Sequence, residues 1–306
     1  MAQPRIAVTP AGSREYLREA VIAGGGALAE PSDADALVWT TPDDADGLAA
    51  LLDANPGIAW VQLPFAGIEP LVDVVHAHPE RAWTSGKGVY AEPVAEMALA
   101  LLLAGMRNLG PYAAATAWTG PAGRNLTGAK VAVLGGGGIT EALLPMLAPF
   151  GADVTVVRRT PDPLPGATRV LGPERTDTAL TGADAVVLAL ALTPDTIGVL
   201  DARTLALLAP GAAVVNVARG GHIVTDDLVA ALRSGQVGSA GLDVTDPEPL
   251  PEGHPLWALP NVIITPHVGN TPEMAVPLLS ARLTDNVRRW AAGQALIGVV
   301  DPDAGY

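Results

Sequence analysis

The chain contains no cysteine, which excludes disulfides, thiolate nucleophiles and cysteine-bound metals and is compatible with either redox compartment. Basic residues are also scarce, 18 Lys and Arg against 32 Asp and Glu, for a formal net charge of -14. Nucleic acid and anionic membranes require a concentrated basic surface, so neither is an expected partner. No apolar run is long enough to cross a bilayer, although 49% of the residues are hydrophobic and only 16% charged. That balance predicts a soluble protein. The opening MAQPRIAV lacks the basic and apolar leader of an export signal, which points to the cytoplasm. Fixed-spacing repeats and linker-length low-complexity tracts are missing too. What is present is 306 residues, more than one compact domain usually holds, which predicts two domains with separate cores.

Short β-branched runs alternate with helix-length segments. RIAVT, ALVWT, IAWVQL and RAWTS are separated by stretches such as ADGLAALLDA, the pattern of βαβ units. PVAEMALALLLAGMRNL, residues 93–109, is apolar nearly all round and reads as a buried helix or an oligomer contact between two domains. A second series follows with KVAVLGGGG, ADVTVV, DAVVLAL, AAVVNV, SAGLDV and NVIIT, six parallel strands. From Pro272 the tail reads as a helix packing back on the first domain. The expected fold is therefore α/β with two doubly wound domains: a Rossmann-type cofactor domain over 99–273, and a smaller flavodoxin-like substrate domain formed by 1–98 and 274–306.

VLGGGGIT follows a strand and opens a helix, the context in which a glycine pattern carries meaning. Gly135 and Gly137 match the first two glycines of G-x-G-x-x-G, and Gly138 and Ile139 begin the helix whose amides and dipole would face a pyrophosphate. Thr140 stands in the third glycine's place, and Pro145 suggests a kink in that helix. The next strand ends in VVRRT. An acidic residue there would grip the adenosine ribose; Arg158 cannot accept its hydroxyls, but with Arg159 and Thr160 it can surround a 2′-phosphate. This favours NADP, with NAD also admitted.

Three later segments place polar groups beyond strand ends. Arg219 follows AAVVNV and precedes a helix opened by Thr225, where Asp226 and Asp227 complement the dipole. A fixed guanidinium can hold a carboxylate and polarise a carbonyl. Glu248 lies in a proline-bounded loop beyond Asp243, and His267 follows VIITP. Histidine is suited to passing a proton near neutral pH, and a neighbouring carboxylate would orient it. Read singly, each could equally be a loop ion pair, a solvated acid or a strand-end cap. His76, His78, His222 and His254 read as surface or structural, and no histidine pair has the helical spacing of a zinc site, so no metal is expected.

With these residues in view, the chain resembles the D-isomer-specific 2-hydroxyacid dehydrogenases, including glyoxylate and hydroxypyruvate reductases. GVYAEPVAEMALALLLAGMRNL resembles the family's interdomain helix, LTGAKVAVLGGGGI its cofactor turn, VVNVARGGHIVTDDLVAAL its arginine signature, and AGLDVTDPEPLPEGHPLWALPNVIITPHVGN its glutamate and histidine region. VVDPDAGY is similar to a family C-terminus, so the chain is expected to be complete. The departures are Thr140 for glycine and Arg158 for an acid; NADP-preferring members use basic residues in this region.

The resemblance implies that Arg219 binds and polarises a small 2-oxo acid, His267 donates the proton, Glu248 supports the charged histidine, and Asp243 lies near the nicotinamide carboxamide. It implies carboxylate binding by Phe65, Ala66 and Gly67 in LPFAGIE, a pocket role for Ser85, Gly86 and Tyr90, and a cofactor-side role for Thr193. A plain turn, local packing and a helix cap are the respective alternatives. A homodimer through residues 93–109 is the family expectation. Two rivals stay open: a nucleotide-sensing, protein-binding module without turnover, since the family includes transcriptional co-repressors, and an NAD-dependent oxidase of another acid.

Overall fold

The computed structural model describes residues 3–10, 12 and 14–301. Residues 302–306 of the VVDPDAGY ending therefore lie outside the described residues. Two compact units divide the chain, Met1–Tyr90 with Thr271–Tyr306, and Ala91–Asn270. The breaks expected at 98/99 and 273/274 both fall inside helices, Ala91–Met106 and Pro272–Ala291. The first of these helices belongs wholly to the second unit, because Ala95, Ala98, Leu101, Leu102 and Met106 are buried against its sheet.

The first unit contains β1 (Arg5–Thr9), α1 (Glu15–Ala23), β2 (Ala27–Leu28), β3 (Ala36–Trp39), α2 (Ala45–Ala54), β4 (Trp60–Gln62), α3 (Val72–Ala77) and β5 (Ala82–Thr84). All strands are parallel, in the order β2-β1-β3-β4-β5, the doubly wound order of a flavodoxin-like sheet. β2 was not among the strands read from sequence; two half-buried residues on an edge leave no apolar run to see. Asp44 caps α2 by accepting from the Gly47 amide at 2.9 Å. The C-terminal helix Pro272–Ala291 covers one face, with Leu279, Leu283 and Val287 packed against Ile6, Leu17 and Val21. Its Asn286 is wholly buried and donates to Gln62 Oε1 at 3.0 Å and to the Ile297 carbonyl at 2.9 Å. Thr84 also donates to Gln62 Oε1, at 2.9 Å, and accepts from the Trp60 indole at 2.8 Å, so these buried polar groups satisfy one another.

The second unit begins with α4 (Ala91–Met106) and α5 (Leu109–Ala114). It continues through β6 (Lys130–Leu134), α6 (Gly138–Leu147), β7 (Asp153–Val157), β8 (Arg169–Leu171), α7 (Thr176–Leu180), β9 (Ala185–Leu188), α8 (Ala202–Leu205), β10 (Ala212–Asn216), α9 (Thr225–Ser234), β11 (Val237–Leu242) and β12 (Val262–Ile264). The parallel order β12-β11-β10-β9-β6-β7-β8 is that of a Rossmann sheet with one further strand. β9 and β10 are buried along their whole length, which is why they read as unbroken apolar runs. Seven strands stand where six were expected: β8 is a three-residue edge strand with an exposed first residue and two half-buried ones. α6 continues past Pro145 to Leu147 and tightens into the turn Ala148–Phe150. Among the described residues no helix is long and apolar enough to cross a membrane.

Candidate active site

In the second unit the candidate residues lie beyond the carboxyl ends of the strands, where an open α/β sheet presents its loops at the point of order reversal. β6 leads into Gly135, held at φ 109°, where a side chain would run into the backbone of Ala189 and Leu190. The Gly135 amide donates to Val157 O at 2.8 Å, which ties the turn to the end of β7. Gly137 caps α6 without a side chain and is exposed, and a Cβ added there would meet nothing within 4 Å, while Gly138 and Ile139 behind it are half-buried. Thr140 does not disturb this turn. It is buried, and its hydroxyl donates to Gly135 O at 2.8 Å, tethering helix to turn where a glycine would only have made room.

Arg158 leaves β7 with its amide bonded to Leu171 O at 3.0 Å. Its side chain runs over Gly136: a Cβ on Gly136 would lie 2.7 Å from Arg158 Cδ and 2.8 Å from Arg158 Cβ. The second glycine of the run, Gly136, thus lets the arginine lie beside the turn, a role the motif alone did not single out. Arg159 and Thr160 follow on the exposed side. An exposed glycine cap at the helix start, a glycine turn and an adjacent guanidinium fit the phosphates of a dinucleotide. Thr193 lies in the turn after β9, where its amide donates to Thr196 Oγ1 at 2.8 Å; it does not cap a helix.

Arg219 is half-buried, and its Nη1 donates to Ala218 O at 2.8 Å. Asn216, wholly buried at the end of β10, fixes this turn by accepting from the Ala218 amide at 3.0 Å and donating to Arg219 O at 2.8 Å. Any side chain at Gly220 would collide with the carbonyl of Thr245, so the arginine turn presses directly on the loop that carries Glu248. Thr225 opens α9 but does not cap it: the cap position is Val224, and the Thr225 hydroxyl donates to Asp246 O at 2.8 Å, a second tie to that loop.

His267 and Glu248 meet, with Nδ1 at 2.6 Å from Oε1. Their side chains are 51% and 41% exposed, so the pair is open to a small molecule. With Nδ1 directed at the carboxylate, Nε2 is the nitrogen left for chemistry. Glu248 is steadied by the Thr245 amide at 3.3 Å. His267 sits at φ 53°, a left-handed conformation that costs a non-glycine residue about 1 kcal/mol. Asp243 holds it there. The Asp243 carbonyl accepts from the His267 amide at 2.8 Å, while its carboxylate accepts from Thr265 Oγ1 at 2.5 Å, Val268 N at 2.9 Å and Gly269 N at 2.8 Å.

The first unit holds the remaining candidates. Phe65 and Gly67 are half-buried and Ala66 is exposed. The loop is fastened to the segment after β5 by Gly86 N to Phe65 O at 2.7 Å and by the Tyr90 hydroxyl donating to Pro64 O at 2.5 Å. Burial raises the Tyr90 phenol to about 12. Ser85 is buried and accepts from the Lys87 amide at 3.2 Å.

Residues 99–269 match the family model described as D-isomer specific 2-hydroxyacid dehydrogenase, NAD binding domain, and the chain belongs to that family. It is an NAD(P)-dependent oxidoreductase of the D-2-hydroxyacid dehydrogenase class. It is 37% identical over 295 residues to a Corynebacterium melassecola protein described as an uncharacterized protein in proB 3′ region, covering 94% of this chain and 95% of that one. Over 178 residues it is 39% identical to glyoxylate/hydroxypyruvate reductase A of Serratia proteamaculans, covering 58% of this chain and 56% of the relative. A D-isomer specific 2-hydroxyacid dehydrogenase from Xanthobacter autotrophicus Py2, solved in complex with NADPH and MES, superimposes with TM-score 0.87 at 30% identity over 100% of both chains.

Proposed function

We propose that the protein reduces a small 2-oxo acid of the glyoxylate or hydroxypyruvate kind to the D-2-hydroxy acid, with NADPH preferred over NADH. The observation that carries this is the His267–Glu248 contact at 2.6 Å, in a loop set that also holds Arg219. A nicotinamide nucleotide held by the glycine turn would supply the hydride for the carbonyl carbon. Arg219 pairs with the substrate carboxylate and stabilises negative charge as it grows on the carbonyl oxygen. His267 gives that oxygen a proton from Nε2 while Glu248, on Nδ1, stabilises the charged ring and fixes its orientation. Asp243 keeps the histidine loop in register and is the candidate for the carboxamide.

Gly135, Gly137, Gly138 and Ile139 cradle the pyrophosphate in this reading, Arg158, Arg159 and Thr160 receive the 2′-phosphate, and Thr193 borders the nucleotide. Phe65, Ala66, Gly67 and Tyr90 remain proposed substrate contacts. The similarity to the Serratia reductase and to the NADPH-bound Xanthobacter protein supports the choice of substrate and coenzyme.

Initial rates of NADPH and NADH oxidation with glyoxylate, hydroxypyruvate and larger 2-oxo acids test the whole assignment. Faster turnover with NADPH is expected. Preference for NADH would remove the phosphate role of the arginines, absence of turnover despite nucleotide binding would favour the sensor, and exclusive oxidation of a hydroxy acid would favour the oxidase. A cytoplasmic homodimer is also proposed; light scattering that gives a monomer, or fractionation that finds the protein outside the cytoplasm, would reject the corresponding part.

A further inference from the structure

His222 is wholly buried, and the reading above gives it no task. Its ring lies between two backbone carbonyls, with Nδ1 3.1 Å from Thr196 O and Nε2 3.2 Å from Leu190 O. Carbonyls only accept and a neutral imidazole carries one N–H, so the tautomer decides which of the two carbonyls the ring donates to. Both carbonyls belong to the segment after β9 whose start, Ala189 and Leu190, abuts Gly135 in the cofactor turn. That segment is also laced to the arginine turn through backbone, Gly198 N to Gly221 O at 2.9 Å and Leu200 N to His222 O at 3.0 Å. On its other side, His222 N reaches Arg219 O at 3.3 Å, the same carbonyl that Asn216 holds. One buried residue, through its ring on one side and its backbone amide on the other, therefore spans the step from the dinucleotide turn to the arginine.

We propose that His222 is a positioning residue that clamps the 189–196 segment to the arginine turn, so that nucleotide affinity and the placement of Arg219 both depend on its ring. The inference rests on the nicotinamide-nucleotide assignment, and its test separates the two. H222L keeps bulk and removes both ring nitrogens; H222N retains a donor at about the Nδ1 position, and H222Q at about the Nε2 position. NADPH affinity is measured by fluorescence titration well below each variant's melting temperature, alongside amide hydrogen exchange over residues 190–200 and separate KM values for nucleotide and 2-oxo acid. For H222L the expected result is a loss of nucleotide affinity of about tenfold or more, because the ring that joins the half-buried Leu190 and Thr196 carbonyls to the arginine turn is lost. Exchange in the segment should accelerate, nucleotide KM should rise more than 2-oxo acid KM, and at least one amide variant should recover part of the loss. A residue that only fills space would show neither the KM split nor the rescue. If H222L does not fold, the comparison of H222N and H222Q with the unaltered protein decides alone. Unchanged nucleotide affinity in the folded variants, or no recovery by either amide, would overturn the inference while leaving the cofactor assignment intact. Failure of the unaltered protein to bind either nucleotide would overturn both.

Discussion

Asn286 and Asn216 are both wholly buried, one in each compact unit, and both spend their side-chain amides on neighbouring backbone. Asn286 fastens the C-terminal helix to the strand bearing Gln62 and to the chain at Ile297, so its partners are parts of the framework. Asn216 fastens the turn that presents Arg219. The contrast extends further. Gln62, Thr84 and Trp60 close a network inside the first unit's sheet, whereas Asp243 and His222 reach outward to loops at the strand ends of the second. A buried polar group must be satisfied wherever it lies; in the proposed reaction, the choice of partner separates those whose loss is expected to cost stability from those whose loss is expected to cost turnover.

Substitutions that break this contrast should differ in kind as well as size. His267→Gln is expected to lower kcat by about 10²- to 10⁴-fold and Arg219→Ala by about 10²- to 10³-fold, both with unchanged melting. Near-normal turnover by either would reject its assigned role. Asn216→Ala should lose activity out of proportion to stability, and Asn286→Ala should do the reverse, losing about 1–3 kcal/mol of unfolding free energy while each folded molecule keeps its kcat/KM. Equal effects of the two asparagines on turnover would remove the distinction. Gly136→Ala should narrow the NADPH-to-NADH preference about tenfold by displacing Arg158, with little change in NADH kinetics; an undiminished preference would mean that the arginine does not depend on the bare glycine.

The smallest effect concerns pH. Burial leaves Tyr90 ionising only at about 12 in the folded protein, above its ordinary value of 10.0. In that window the unfolded chain has released the proton that the folded one retains, so the Tyr90 contribution is complete below about pH 10 and lost as pH rises towards 12. An ultraviolet titration should show one tyrosine lagging the others, and Tyr90→Phe should abolish the lag.

Both folds were legible because parallel sheets covered on both faces leave apolar runs in the sequence, and ALVW and AAVVN are buried end to end. β2 and β8 were missed because short edge strands leave no such signature. The glycine turn, Arg219, Glu248 and His267 could be picked out because their types and order carry chemistry. What could not be read is how they are held. Asn216 looks like one more strand residue, His222 like a structural histidine, and Asp243 gives no sign that its carboxylate gathers the Thr265–Gly269 loop. Gly136 and Gly220 were visible as letters in glycine runs, but their purpose depends on which distant chain lies against them, Arg158 in one case and Thr245 in the other.

Gly220 sets a gauge. Because no atom can be inserted between it and the Thr245 carbonyl, the arginine and glutamate loops are kept at the separation of two bare backbones. That distance is a fixed dimension of the second unit, and under the proposed reduction, in which Arg219 and Glu248 serve one substrate, the choice of substrate size falls to other segments.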